Sequence, residues 1–218
     1  MEVLFFLVLA IAGFTVVGEW TSSRSVTILN LAPLKSAVQE TGESTLREAP
    51  SHRPVPEPSL SSVFTPSVQY WKDELMAWAA EAGLDPNLVA TVMQIESCGD
   101  PSAGSSVGAR GLFQVMPYHF EAGENPYDPD TNARRGLAYL AHGLELSGGH
   151  VGLALAVYNG GHGVISRSYD TWAYETQRYY RWGSGIYREA SAGWDSSPTL
   201  AAWLRAGGHS LCSEAEER

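Results

Sequence analysis

Positive charge is scarce in this chain. Lys and Arg together number 14 against 24 Asp and Glu, for a formal net charge of -10 and a pI of about 5.0. A nucleic-acid-binding protein needs a basic face to neutralise phosphates, so that class is excluded as an expectation. Metal-ligand spacing is lacking as well. The six His form no HExxH pattern, and none lies at ligand distance from either cysteine. Asp128-Pro129-Asp130-Thr131-Asn132 imitates the start of a calcium loop, but its sixth position is Ala133 and its twelfth is Tyr139, where Gly and Glu are required. That segment reads as a turn and helix cap, and neither a metal nor another cofactor is expected. There is no internal repeat. The one long apolar run, Val3 to Val17, falls short of the ~20 residues that span a bilayer.

That run is nevertheless the right length for the apolar region of a signal peptide, with Val16 and Gly18 small enough for cleavage before Glu19. It is preceded by Glu2 and by no Lys or Arg, so an uncleaved N-terminal anchor within residues 1–18 stays open beside the signal peptide. Both readings export the rest of the chain to the cell envelope or beyond it. Only two cysteines are present, Cys98 and Cys212, so one pairing is possible. In an oxidising compartment they are expected to form a disulfide; two free thiols is the alternative if the chain is not exported. Residues 19–64 are rich in Ser, Thr and Pro, and His52-Arg53-Pro54-Val55-Pro56-Glu57-Pro58 reads as a polyproline II spacer. A short helix within residues 29–39 would have little to pack on. Glu214-Ala215-Glu216-Glu217 reads as a solvated acidic tail.

From residue 65 the pattern becomes helical. Thr65-Pro66 starts a helix that carries Tyr70, Trp71, Leu75 and Trp78 and stops at Gly83. Asp85-Pro86 starts a second, whose Leu88, Val89, Val92, Met93 and Glu96 fall at steps of three and four. Glu96 thus belongs to an apolar face, an unusual place for Glu. Burial there, and the negative end of the helix dipole, both disfavour its charged form. A carboxyl group that stays protonated near neutral pH can donate a proton to a leaving group. A glycine- and serine-rich loop over residues 97–111 follows, with room for a small β element. Further helices are expected from Asp130 past Leu144 to Gly148-Gly149, from Val151 to Tyr158, from Tyr174 to Arg188 and from Pro198 to Ala206. The class is therefore mainly α.

Four segments stand in order along this region: Ile95-Glu96-Ser97 with Gly108-Ala109-Arg110-Gly111-Leu112-Phe113-Gln114-Val115-Met116-Pro117; Asn125-Pro126-Tyr127-Asp128-Pro129 with Asn132, Gly136 and Tyr139; Leu155-Ala156-Val157-Tyr158-Asn159-Gly160-Gly161; and Glu175-Thr176-Gln177-Arg178-Tyr179. Together they resemble the lytic transglycosylase family with its lysozyme-like α+β fold and glycan-binding groove. The resemblance covers roughly residues 67 to 190 and implies a catalytic domain over 65–190, with 191–218 as a C-terminal extension tied back by Cys98–Cys212. It implies Glu96 as the single catalytic acid/base and Ser105 as a serine close to it. It also implies that Gln114, Met116, Tyr158, Asn159, Glu175 and Tyr179 line or border the substrate groove. Val157 stands where the family usually has Ala, and Gln177 where Arg is common.

Read without the resemblance, a buried Glu can be a structural hydrogen-bond partner, Tyr158-Asn159-Gly160-Gly161 a helix end, and Glu175 an acid favoured near a helix start. With it, the implied substrate is the peptidoglycan glycan strand, cut at the MurNAc-β-1,4-GlcNAc bond to leave a 1,6-anhydro-MurNAc end, by a monomer. Rival expectations are hydrolysis on the same fold, as in goose-type lysozyme, and a glycan-binding scaffold without turnover.

Overall fold

The computed structural model describes residues 58–217. The expected signal peptide or anchor and most of the expected linker lie outside these residues. Among the described residues no helix is long and apolar enough to cross a membrane. The packed body takes in Leu60 and Phe64, which the sequence reading assigns to the linker but which are buried in the core.

The helix expected from Thr65 to Gly83 is two pieces, α1 (Pro66–Gln69) and α2 (Lys72–Ala82). Trp71 breaks it: its backbone leaves the helical region, its indole Nε1 donates to the Gly99 carbonyl at 2.9 Å, and its ring stacks on Trp78. Thr65 does not cap α1. Its backbone N–H and hydroxyl both donate to Gln94 Oε1, each at 3.1 Å, so it serves the interior instead.

Helix α3 (Pro86–Glu96) starts as expected, with the Asp85 carboxylate accepting from Asn87 N at 2.8 Å. Every residue from Pro86 to Ile95 is buried, so this is the central helix of the domain. Its buried polar groups are all served: Thr91 donates to the Asn87 carbonyl, and Gln94 accepts from Thr65 and donates to Cys98 Sγ. Helices α2 and α6 (Tyr174–Ser191) pack on it, α4 (Pro129–Leu146) packs on α2, and α5 (Val151–Gly160) lies between α4 and α6. Asp128 caps α4 by accepting from Thr131 N at 2.9 Å, which is the use the calcium-like segment is put to. Helix α5 is apolar on nearly every side, as a buried helix should be. Gly183 of α6 lets Leu155 of α5 close in; a Cβ there would meet the Leu155 side chain at 2.9 Å.

The C-terminal segment is more structured than its sequence suggests. Helix α7 (Pro198–Trp203) runs through a π turn over Leu204–Gly208 into α8 (His209–Glu216). The buried Glu189 carboxylate of α6 anchors α7, accepting from Ser197 Oγ at 2.6 Å and from Thr199 N at 3.0 Å. Helix α8 takes up residues read as an acidic tail, and it carries Cys212. The disulfide Cys98–Cys212 forms, with the two Cα atoms 5.0 Å apart. The small β element amounts, among the described residues, to two isolated antiparallel bridges, Gly104 to Arg110 and Arg110 to Val115. The fold is mainly α, as expected.

Candidate active site

The end of α3 is where the core opens. Ser97 is fully buried and donates from Oγ to the Leu112 carbonyl at 2.7 Å, which fastens the helix end to the loop that follows. Cys98 takes a left-handed conformation at φ 52°, rare for a residue with a side chain, and the disulfide holds it there. Glu96 is the last helical residue and the only one of α3 with part of its surface open. It opens onto a cleft of about 540 Å³.

Water and substrate can therefore reach the Glu96 carboxyl, but protein encloses it closely enough to raise its pKa to about 8. Desolvation is the main cause; the nearby Glu175 charge adds to it, and the Tyr179 hydroxyl opposes it. Tyr179 is 1% exposed and lies behind Glu96, with no conventional hydrogen-bond partner for its hydroxyl. The pair is thus a polar contact short of a full hydrogen bond.

The loop wall is built from the glycine-rich segment. Gln114 sits at φ 46°, and its amide donates to the Ala103 carbonyl at 3.1 Å and the Gly111 carbonyl at 3.0 Å. The amide thereby braces the loop, and strained backbone of this kind concentrates at functional sites. Ser105 accepts from Ala109 N through Oγ at 2.9 Å. Asn132 is completely buried and ties three strands of chain together: it accepts from Phe113 N at 2.8 Å and donates to the carbonyls of Arg110 at 2.7 Å and Pro126 at 2.8 Å. Its position within the second motif could have marked it, since a buried Asn must satisfy both ends of its amide.

The opposite wall comes from α5 and α6. Tyr158 donates to the Phe113 carbonyl at 2.7 Å, so it joins α5 to the loop wall as well as lining the cleft. Gly136 of α4 makes room for this bond; a Cβ there would meet Phe113 at 2.7 Å and the Tyr158 hydroxyl at 3.0 Å. Burial raises the Tyr158 phenol well above its ordinary pKa. Asn159 accepts from Thr176 Oγ1 at 2.9 Å and directs its amide toward Glu175 Oε1 at 3.4 Å. Thr176, inside the fourth motif, fixes the orientation of Asn159 and has no assigned role in the sequence reading.

Of the eight substrate-site residues expected, Glu96, Ser105, Gln114, Met116, Tyr158, Asn159 and Glu175 line this one cleft. Tyr179 does not: it is core, stacked on Tyr158 with ring centroids 6.5 Å apart, and its influence on the cleft passes through Glu96. Two features of the cleft lie outside the expected set. A row of rings, Tyr118, His119 and Tyr139, continues the Tyr158 side. The C-terminal segment supplies a further wall through Trp203, Gly207, Gly208, Ser210, Leu211 and Glu214. The signal for that wall was the Cys98–Cys212 pairing itself, which must bring α8 beside Glu96. No group of three or more His, Cys, Asp or Glu among the described residues could hold a metal ion.

Comparison with known proteins places this geometry in context. Residues 74–178 match the family model described as Transglycosylase SLT domain. A protein of Enterobacteria phage PRD1 named transglycosylase is 42% identical over 97 residues, which is 44% of this chain and 36% of that protein's length. The X-ray structure of an inactive mutant of the lytic transglycosylase Slt from Pseudomonas aeruginosa is 26% identical, with a TM-score of 0.46, over 55% of this chain and 24% of that one.

Proposed function

We propose that this chain, which over residues 74–178 belongs to the transglycosylase SLT domain family, is an exported peptidoglycan lytic transglycosylase. It cleaves the MurNAc-β-1,4-GlcNAc bond as a monomer and leaves a 1,6-anhydro-MurNAc end, with Glu96 as its single acid/base. The observation that carries the reading is the Glu96 carboxyl, held at a pKa of about 8 where α3 opens into the cleft. A group with that pKa is protonated in the resting enzyme and is a competent base once it has given its proton away.

The steps balance without a second catalytic carboxylate or an added reagent. Glu96 donates its proton to the glycosidic oxygen, the C1–O bond breaks, and the electron pair leaves with GlcNAc O4. The 2-acetamido oxygen of MurNAc bonds to C1 as the leaving group departs. The Glu96 carboxylate then takes the proton of the 6-hydroxyl, and O6 bonds to C1 and displaces the acetamido oxygen. No water is consumed.

Tyr158 has committed its hydroxyl proton to the Phe113 carbonyl. What it offers the substrate is an acceptor oxygen, suited to the acetamido N–H. Asn159, oriented by Thr176, and Glu175 hold the other side of the sugar. The paired-carboxylate pattern of ordinary glycosidases, with one acid and one nucleophile or base, would make Glu175 the nucleophile or base; its neighbouring charge instead serves to keep Glu96 protonated.

Mass spectrometry of peptidoglycan digested by the purified protein tests the product. Anhydro-MurNAc ends are expected. Reducing MurNAc ends would mean that water reaches C1 and that the protein is a hydrolase of the goose-type lysozyme kind.

A further inference from the structure

The carboxyl groups that line the cleft are the protonated Glu96 and Asp100, Glu175 and Glu214. Among the described residues one side chain of fixed positive charge joins them, Arg178 of α6. Arg110 of the loop lies over a ring, that of Tyr127, but it does not line the cleft. Arg134 and Arg135 are paired with Glu124 at 2.9 and 2.8 Å. Arg178 is partly buried yet has no carboxylate within ion-pair distance and no hydrogen bond from its guanidinium among the described residues. It lies over the ring of Tyr174, 5.9 Å from the centroid, and Tyr174 is 68% exposed at the mouth of the cleft.

A guanidinium stacked on an aromatic ring is preorganised: its position is held, while its planar face of donors stays available. Burying part of a cation without an anionic partner costs free energy, and a ligand carboxylate that supplies the missing partner recovers it. A glycan strand whose lactyl groups are all amidated has no carboxylate of its own to offer. MurNAc carries its lactyl group in amide linkage to the stem peptide, so the carboxylates of peptidoglycan lie on the peptide.

We propose that Arg178, held by Tyr174, binds a carboxylate of the stem peptide and makes peptide-bearing strands the preferred substrate over denuded glycan. The inference rests on the transglycosylase reading for its substrate, but it concerns recognition and not the bond-breaking step. Arg178 is a specificity residue of the cleft. The neighbouring acids work in the same direction: Glu175 and Glu214 repel carboxylates presented elsewhere in the cleft, so the one cation sets where the peptide lies.

Two substrates decide it: intact glycan strands, and the same strands stripped of stem peptides by an amidase, with the lactyl carboxylates that this hydrolysis frees capped as methylamides. The full chain is compared as wild type, Arg178→Gln and Arg178→Lys. The ratio of kcat/KM for intact over stripped strands is expected to fall about tenfold in Arg178→Gln, as befits loss of one charge-assisted contact. Most of the fall should lie in KM. Arg178→Lys should recover part of it, and raising the salt concentration should shrink the wild-type preference. An unchanged ratio in Arg178→Gln overturns the proposal.

Binding of a purified muropeptide to Glu96→Gln, with and without Arg178→Gln, reads recognition separately from turnover. If wild type released no glycan fragments from either substrate, the transglycosylase reading would fail while this binding difference could still be measured. Equal muropeptide affinity with and without Arg178→Gln would sink the carboxylate site alone.

Discussion

Glu96→Gln should give a protein that folds, gains stability and stops releasing glycan fragments. The loss of rate follows from the chemistry proposed for the site, in which one carboxyl group is acid in the first step and base in the second. General acid–base contributions are worth about 10²–10⁴-fold each, so a loss of at least about 10³-fold is expected. Residual turnover within tenfold of wild type would end the role assigned to Glu96. The gain in stability follows from the cause of its raised pKa. Below the unfolded value of 4.5 the carboxyl is neutral in both states and contributes no pH dependence. As pH rises from 4.5 to about 8, the unfolded chain releases this proton while the folded one keeps it, so folding stability falls across that window and levels off above it. At pH 7 the cost is at most on the order of 3 kcal/mol. Gln cannot ionise in either state and avoids it. Thermal melts should therefore show Glu96→Gln coinciding with wild type near pH 4 and pulling ahead as pH approaches 8, by several degrees for a domain of this size. The wild-type rate should in turn fall along a basic limb near pH 8, where the donor loses its proton.

This stability cost also explains why Glu96 could be found in the sequence. A Glu placed on the apolar face of a helix violates the burial pattern, and such violations concentrate where function is served at the expense of stability. The helices were legible for a related reason. Asp85-Pro86 and Asp128-Pro129 are local start signals that act through the side chain two or three residues back from the first free N–H groups. What could not be read locally depended on partners far along the chain. The break at Trp71 is made by the Gly99 carbonyl. Thr65 reads as a cap because nothing near it in sequence reveals Gln94, which takes its hydrogen bonds. Tyr179 shares a motif and a helix face with Glu175, but one turn further along α6 that face is covered by the core, and Tyr179 is buried there. The wall from α7 and α8 has no motif at all. Its helices are short, and the second cysteine is what ties it to the site in the sequence.

That cysteine supplies the other large effect. The double variant Cys98→Ser/Cys212→Ser removes a bridge between positions 114 residues apart. Loss of such a cross-link is expected to destabilise the fold by about 2–4 kcal/mol, mainly through the freedom returned to the unfolded chain. A drop of about 5–10 °C in melting temperature corresponds to that range. The double variant is preferred to either single one because it leaves no unpaired thiol. A local consequence should exceed what a general loss of stability produces. Both sulfurs sit against Gln94, whose amide donates to Cys98 Sγ at 2.9 Å and to Cys212 Sγ at 3.4 Å, and Gln94 lies two residues before Glu96. Without the bridge, α8 keeps its contacts with α1 and the packing of Leu211 and Ala215 on the core, but it loses its cross-link to the end of α3. Ser210, Leu211 and Glu214 then leave their places on the cleft wall more readily. KM for glycan strands should rise by a larger factor than kcat falls, at a temperature where the variant is fully folded. Calorimetry in the presence and absence of reductant, paired with kinetics at that temperature, checks both halves. A double variant that melts within about 1 °C of wild type would show that the bridge carries no stability. An unchanged KM would show that α8 stays on the cleft without it.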